Sequence, residues 1–265
     1  MGNSAASATW VPSDDLRARL TDEGWIQIDD VISLDALRAA EGWISANAKD
    51  PRRLLLLQTE RDPSGELRKF RRMYWADPEF WARWIVASGL RQVVRFVIGP
   101  SACLMKQAAF LKARAGGSGV GYHQDQGLWE TTIPGAYSFW MPLDPADATN
   151  GGLIMFTGSH RQGIFDHVHR DDHPWHGVVD VDGNGLQGDQ VVIRPGGMVV
   201  HNPYLVHGSE PNVSDQRRYA VVFTFAPEPA EETRPHLKED YVSLSAIEAL
   251  AESAEGAGAK GTVSA

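Results

Sequence analysis

Beyond about Met105 the chain becomes a succession of short apolar runs, each cut off by glycine, proline or polar residues: Ala108 to Lys112, Tyr137 to Leu143, Leu153 to Phe156, Val191 to Ile193, Met198 to Val200 and Tyr219 to Phe225. These are strand lengths, and several such runs at turn-punctuated spacing predict a β-sandwich or barrel. The chain before them carries helix signals instead. Ser13 ahead of Asp14-Asp15-Leu16 and Ser33 ahead of Leu34 are N-cap hydroxyls, and Leu34, Leu37, Ala40 and Ile44 keep helical spacing to about Ala48. Asp77-Pro78-Glu79 starts another helix, since proline suits the first helical position and an acid suits the positive end of the dipole. Gly24-Trp25-Ile26-Gln27-Ile28-Asp29 alternates as a half-buried strand does. The expected architecture is mainly β with flanking helices: one domain over residues 1–245, helical over about 13–100 and a barrel over about 102–227.

Two segments stand apart. His160 to Asp189 is polar, rich in His, Asp and Gly, and interrupts the strands; a long insertion of this kind is a lid or a binding loop, or else a mobile surface loop. Residues 246–265 are mostly Ala, Gly, Glu and Ser, with little to bury, and are expected to form a disordered tail. The longest strictly apolar stretches, such as Leu54 to Leu57 and Ala220 to Phe223, fall far short of the roughly 18 residues that span a bilayer, so no membrane helix is expected. Met1 to Trp10 lacks the basic flank and apolar core of a secretory signal, which gives a cytoplasmic expectation.

Charge and cysteine content narrow the chemistry. With 25 Lys and Arg against 34 Asp and Glu, the net charge of −9 disfavours nucleic-acid binding, which depends on cations neutralising phosphates. The basic run Arg68 to Arg72 is expected to be a solvated face. A single cysteine, Cys103, makes no internal disulfide and no cysteine-rich metal site. Any metal must rest on His, Asp or Glu.

Among nine histidines, His123-Gln124-Asp125 has a geometric reason to be a site: residues two apart on a strand share a face, so one imidazole and one carboxylate are presented together. A second histidine on another strand would complete two imidazoles and one carboxylate on one side of an ion, the arrangement that suits non-haem Fe(II) and leaves positions open. His207 is the candidate, with His201 as its rival. Arg218 follows His207 by 11 residues across a turn rich in Asn, Ser and Asp, and its guanidinium is a natural anchor for a carboxylate. The set therefore holds a metal and a charged small acid together.

With these residues in view, the chain resembles the phytanoyl-CoA dioxygenase family of Fe(II)- and 2-oxoglutarate-dependent oxygenases. The resemblance runs from Gly24-Trp25-Ile26 to Phe225 through His123 and Asp125, an aromatic strand reaching Trp140, Asn150-Gly151-Gly152-Leu153, Gly158-Ser159-His160, and the distal His207 and Arg218. It implies a double-stranded β-helix, or jelly roll, of cupin type with the metal in the barrel mouth. His123, Asp125 and His207 would be the iron ligands and catalytic centre. Arg218, helped by Ser209, would pair with the far carboxylate of 2-oxoglutarate, and Trp140 would line the cosubstrate pocket. Arg217 is adjacent and faces the other way. Some members also use a basic residue upstream, to which Lys69 is a match.

The implied reaction consumes O2 and 2-oxoglutarate, releases succinate and CO2, and oxidises a substrate C–H bond. Related halogenases replace the carboxylate by a small residue; with Asp125 intact, hydroxylation or another oxygen-driven oxidation is expected, and desaturation, epoxidation and ring closure share the same ligand set. Gln107, Phe110, Tyr122 and Trp129 are the candidate substrate contacts on a small-molecule metabolite of the natural-product kind. Two alternatives remain open: a non-catalytic jelly roll that binds a metal and a small acid as sensor or carrier, and a cupin-like metal hydrolase or isomerase.

Overall fold

Side-chain caps start the helices of the first third. In the computed structural model, which describes residues 10–171, 173–229 and 240–260, α1 (Asp14–Glu23) begins where the Ser13 hydroxyl accepts the Leu16 N–H at 3.3 Å. The Ser33 hydroxyl does the same for α2 (Leu34–Asn47), accepting the Ala36 N–H at 3.5 Å. Helix α3 (Pro51–Leu56) starts at Asp50, α4 (Met73–Ala76) is one short turn, α5 (Pro78–Ala87) starts at Asp77 with proline in its first turn, and α6 (Leu90–Val97) follows. Three strands interleave with them: β1 (Trp25–Ile28), β2 (Gln58–Arg61) and β3 (Leu67–Arg71). The first third is thus less purely helical than expected, because the basic run is itself a strand.

The remaining elements are mostly extended: β4 (Ala102–Lys112), β5 (Val120–His123), the single turn α7 (Asp125–Leu128), β6 (Tyr137–Pro142), β7 (Ile154–Met155), β8 (Val168–Arg170), β9 (His173–Val178), β10 (Asp189–Gln190), β11 (Met198–His201), β12 (His207–Ser209), β13 (Arg218–Pro227) and β14 (Val242–Ser243). They form an eight-stranded sheet in the order β1-β11-β6-β13-β4-β3-β2, with β14 also paired to β4, and a four-stranded sheet β10-β7-β12-β5. Both are antiparallel throughout. This is the jelly roll, mainly β with flanking helices.

Strand alternation gives the large sheet two different faces. Phe139, Met141, Val221, Phe223 and Phe225 join the core beneath the helices, where Trp81 is fully buried among Trp43, Phe80, Trp84 and Phe223. Trp140, Val199 and Ala220 join a second core with Leu153, Met155 and Leu205. The polar members of that inner face, Ser138, Arg218 and Thr224, border the site.

The chain end departs from expectation. Residues 244–260 form α8 (Leu244–Lys260), which packs on α5. The Ser243 hydroxyl accepts the Ala246 N–H at 3.2 Å, and Leu244, Ile247 and Ala251 are buried. Their spacing of three and four residues is a helical stripe, which the polar composition around it masks. Residues 261–265 lie outside the described residues. The insertion is also ordered: a 3₁₀ turn (Ser159–Gln162) leads to the hairpin β8–β9, which lies beside β5.

Candidate metal centre and its cavity

Two strands of the small sheet put the imidazoles side by side. His123 ends β5 and His207 begins β12, and the two are direct partners across the antiparallel ladder, with ring centroids 4.4 Å apart. Asp125 does not sit in the strand, as its spacing suggested. The strand stops at His123, Gln124 stays extended, and Asp125 opens the turn α7. Gln124 is clamped on all sides: its amide donates to the Gly163 and Tyr204 carbonyls at 2.7 Å each, and its side-chain oxygen accepts the Phe165 N–H at 2.8 Å. That clamp brings the Asp125 carboxylate back to 3.6 Å from His123 Nε2.

His123, Asp125 and His207 offer ligand atoms that all lie within 4.8 Å of one another, and among the described residues they are the group arranged to hold an ion. Each ring is set by its own strand. His123 Nδ1 donates to the Gly121 carbonyl at 2.8 Å, and His207 Nδ1 donates to the Leu205 carbonyl at 3.0 Å. A proton held on Nδ1 leaves the Nε2 lone pair free for a metal. The far oxygen of Asp125 accepts from the Ser138 hydroxyl at 2.9 Å, and Ser138 lies 3.1 Å from the Thr224 hydroxyl. Burial alone would raise the Asp125 pKa; the adjoining imidazoles of His123, His207 and His201 outweigh it and hold the carboxyl well below the usual range. Burial, reinforced by the neighbouring His201 and His123, pushes His207 well below its ordinary value. One ionised carboxylate and neutral imidazoles are the protonation states that bind a divalent cation. His201, the rival, lies 4.3 Å from the His207 ring but outside the ligand set.

A cavity of about 990 Å³ opens at the three ligands. On its wall Arg218, 1% exposed, has Trp140 beside it, the guanidinium carbon 5.7 Å from the ring centroid. One guanidinium nitrogen donates to the Gly151 carbonyl at 2.6 Å, while its Nε is buried without a partner. Burial lowers Arg218 to about 10, well above neutral pH, so it stays charged. The structure places Ser209 on the same cavity. Arg217 turns outward to Glu41 and Asp144, as strand alternation requires. The donor set and the unpartnered Arg218 Nε fit a divalent iron with a bidentate acid whose second carboxylate reaches the guanidinium.

The four candidate substrate contacts divide. Phe110 and Trp129 line the cavity, each under an ammonium: Lys69 Nζ lies 4.5 Å from the Phe110 centroid and Lys106 Nζ 5.3 Å from that of Trp129. Gln107 borders the cavity, but its side-chain oxygen accepts the Tyr74 N–H in the helical layer, because it lies an odd number of residues from Phe110. Tyr122 is corrected outright. It neighbours His123 in β5, so it faces away, packs on Phe156 with centroids 5.0 Å apart and donates to Glu210.

Several site residues escape a reading of the sequence. Ser138 lies two residues before Trp140 on β6, so the shared face was the available signal. Lys112, opposite Arg218 in the ladder, is 3% exposed and bonds the Ser209 and Glu210 carbonyls. Burial, then repulsion from Arg218, pushes it down to about 6. Three histidines of the insertion line the cavity: His167, which accepts the Gln124 N–H at 3.0 Å, His169, and His176, whose ring lies 4.6 Å from that of His123. Burial, aided by His123, lowers His176 to about 3. The basic run also turns inward: Arg68 has no ladder partner where the β2–β3 register slips, so both Arg68 and Lys69 border the cavity.

Comparison with known proteins adds the wider frame. EctD from S. alaskensis, solved with 2-oxoglutarate and 5-hydroxyectoine, superposes with a TM-score of 0.65 at 20% identity, covering 82% of this chain and 78% of that one. EvdO2 from Micromonospora carbonacea var. aurantiaca, solved with 2-oxoglutarate, gives 0.63 at 22% identity over 85% and 95% of the two chains. SnoK, a non-heme alpha ketoglutarate dependent carbocyclase from nogalamycin biosynthesis, gives 0.65 at 17% over 86% and 92%. Dioxygenase lolE1 of Epichloe uncinata is 25% identical over 146 residues, 52% of this chain and 51% of that protein, so the match spans about half its length. The profile of the Phytanoyl-CoA dioxygenase (PhyH) family matches residues 23–220, well over half of the sequence and the whole span from β1 to the first strand residues of β13. The chain belongs to the phytanoyl-CoA dioxygenase family.

Proposed function

We propose that this chain is a 2-oxoglutarate-dependent dioxygenase that hydroxylates a C–H bond of a small molecule, with succinate and CO2 as coproducts. The observation that carries the reading is the conjunction of an ion-binding triad with ligand atoms within 4.8 Å and, in the same cavity, a buried arginine with an unpartnered Nε. A bare metal site does not need that arginine, and a bare acid-binding site does not need the triad. His123, Asp125 and His207 would hold Fe(II), and Arg218, Ser209 and Trp140 would hold the far end of 2-oxoglutarate. Bound iron, with 2-oxoglutarate and O2, supplies the oxidising power for C–H cleavage.

The protein's own part is orientation and exclusion. Ser138 fixes the outer Asp125 oxygen, which leaves the other for the metal. Strand-held imidazoles keep their Nε2 atoms converged without rearrangement. The hairpin β8–β9 adds Trp175 and His176 to the cavity wall, where their bulk displaces water near the reacting centre. An intact carboxylate at position 125 leaves no ligand gap for a halide, which supports an oxygen-driven oxidation such as hydroxylation over halogenation.

Anaerobic titration with Fe(II), then 2-oxoglutarate, tests this reading through the weak visible charge-transfer band of a metal-chelated 2-oxo acid. The band should form in the wild type and be absent in Asp125→Ala, which should also release no succinate. Metal binding with no band on adding 2-oxoglutarate would instead favour a sensor or hydrolase on the same fold.

A further inference from the structure

The insertion brings to the metal cavity one histidine that the ion site does not use. His176 stands on β9 and lines the cavity, its ring centroid 4.6 Å from that of His123, and it is not one of the three ligands. Its Nδ1 donates to the Gly177 carbonyl at 2.8 Å, so Nε2 keeps a lone pair, and that nitrogen has no hydrogen-bond partner among the described residues. The strand that carries it is fastened: β9 lies beside β5, the neighbouring Trp175 donates from Nε1 to the Arg61 carbonyl at 3.3 Å, and the Arg68 guanidinium carbon lies 3.6 Å from the Trp175 ring centroid. The imidazole is thus a fixed acceptor beside the reacting centre.

An acceptor asks for a donor on the substrate, and the charges around the cavity decide which kind. Among the described residues six cationic side chains border it, Arg68, Lys69, Arg71, Arg72, Lys106 and Arg218, and of these Lys69 and Arg68 act on the His176 ring itself. Three carboxylates of the lining are committed: Asp125 belongs to the ion site, Glu60 is engaged by Arg68 at 2.8 Å and by Arg71, and Asp240 pairs with Arg72 at 2.8 Å. The fourth, Glu130, is exposed. An ammonium donor would meet a repulsive field at this nitrogen, which leaves an uncharged donor. The apolar lining is aromatic, with Phe110, Trp75, Trp129 and Trp175. A hydroxyl suits such walls better than an amide, since one acceptor satisfies its only O–H, whereas an amide also takes a carbonyl and a second N–H out of water.

We propose that His176 is a specificity-determining contact whose Nε2 accepts a hydrogen bond from a substrate hydroxyl, and that the substrate class is an uncharged alcohol or phenol with an aromatic or other apolar body. The inference rests on the oxygenase reading and deepens it. It leaves Lys69, Ser209 and Arg218 to the cosubstrate.

The test is anaerobic calorimetry on Fe(II)- and 2-oxoglutarate-loaded protein with four probes of similar size: 2-phenylethanol, its isomer benzyl methyl ether, which accepts a hydrogen bond but donates none, phenylacetamide and 2-phenylethylammonium. The visible band must form before any probe is added; its absence would overturn the oxygenase reading and this inference with it, whereas with the band present only the inference is at stake. The alcohol should then bind the wild type about three- to tenfold more tightly than the ether, the worth of one hydrogen bond. It should also outbind the amide and the ammonium, and shift the band, as a molecule seated beside the metal does. In His176→Phe the alcohol and the ether should bind alike, with the 2-oxoglutarate affinity unchanged, and His176→Gln, which restores an acceptor, should recover part of the preference. An alcohol that binds no better than the ether or not at all, an amide or ammonium that outbinds it, or a His176→Phe variant that keeps the preference or loses 2-oxoglutarate instead would each overturn the proposal. The wild-type comparison needs no variant to fold.

Discussion

Replacing Arg218 by Met should uncouple cosubstrate binding from metal binding. The side chain is 1% exposed, and the nearest ring is Trp140; removing one member of a buried charged hydrogen-bonded pair costs about 2–4 kcal/mol of binding, or roughly thirty- to several-hundred-fold in affinity. A ligand at a hundred times its Kd stabilises a protein by about 2.7 kcal/mol, and at about its Kd by only ~0.4 kcal/mol. For a chain of this size each kcal/mol moves Tm by roughly 2–4 °C. Anaerobic thermal unfolding at a fixed 2-oxoglutarate concentration near a hundred times the wild-type Kd should therefore show a rise of roughly 5–10 °C for the wild type and about 1–2 °C for Arg218→Met. The shift caused by metal alone should be the same in both, since Arg218 is not among the three ligands. An equal 2-oxoglutarate shift in the two proteins would refute the assignment of Arg218. A loss of the metal shift would show that the substitution disturbs the whole cavity.

Other parts of the structure give further expectations. Ser138→Ala frees the outer oxygen of Asp125, and metal titration should show about 10- to 100-fold weaker binding with the fold retained. Unfolded lysine keeps its proton to about pH 10.4, whereas folded Lys112 gives it up above about 6; unfolding then takes up a proton across that window, so stability should rise with pH from 6 to 8, by up to about 1.4 kcal/mol per pH unit. Denaturant titrations of Lys112→Met should lack this component of the slope, and an identical slope would show that Lys112 stays protonated. Trp81→Ala empties the centre of the helical core, where the ring is 0% exposed and packs on Trp43, Trp84 and Phe223, and should cost about 3–5 kcal/mol by chemical denaturation.

The parts of the molecule that repeat with a simple period were open to reading, and the parts that depend on register were not. The short strands from Ala108 to Phe225 and the Ser13, Ser33 and Asp77 caps follow from local chemistry, which needs no knowledge of distant partners. His123 and His207 were found through residue type and spacing, although their pairing is a long-range ladder contact. Strand parity explains the one substrate candidate that misses the cavity: Tyr122 is one residue from His123 and faces away, while Gln107 borders the cavity with its side-chain oxygen engaged by the Tyr74 N–H. Arg68 and Lys69 defeat such counting altogether, because the slip in the β2–β3 register gives the strand an extra residue. The C-terminal helix was hidden by composition, since Leu244, Ile247 and Ala251 are few among small polar neighbours and their value lies in the α5 surface they meet.

The backbone anchors of the two imidazoles reach beyond geometry. Each histidine is fastened to a carbonyl two residues earlier in its own chain segment, Gly121 for His123 and Leu205 for His207. No third side chain from elsewhere in the fold is required to choose the tautomer, so loops and lids can be exchanged over evolutionary time without retuning the ligands. An imidazole pair that carries its own alignment is a portable part, and such a barrel can change its clientele while its metal chemistry stays the same.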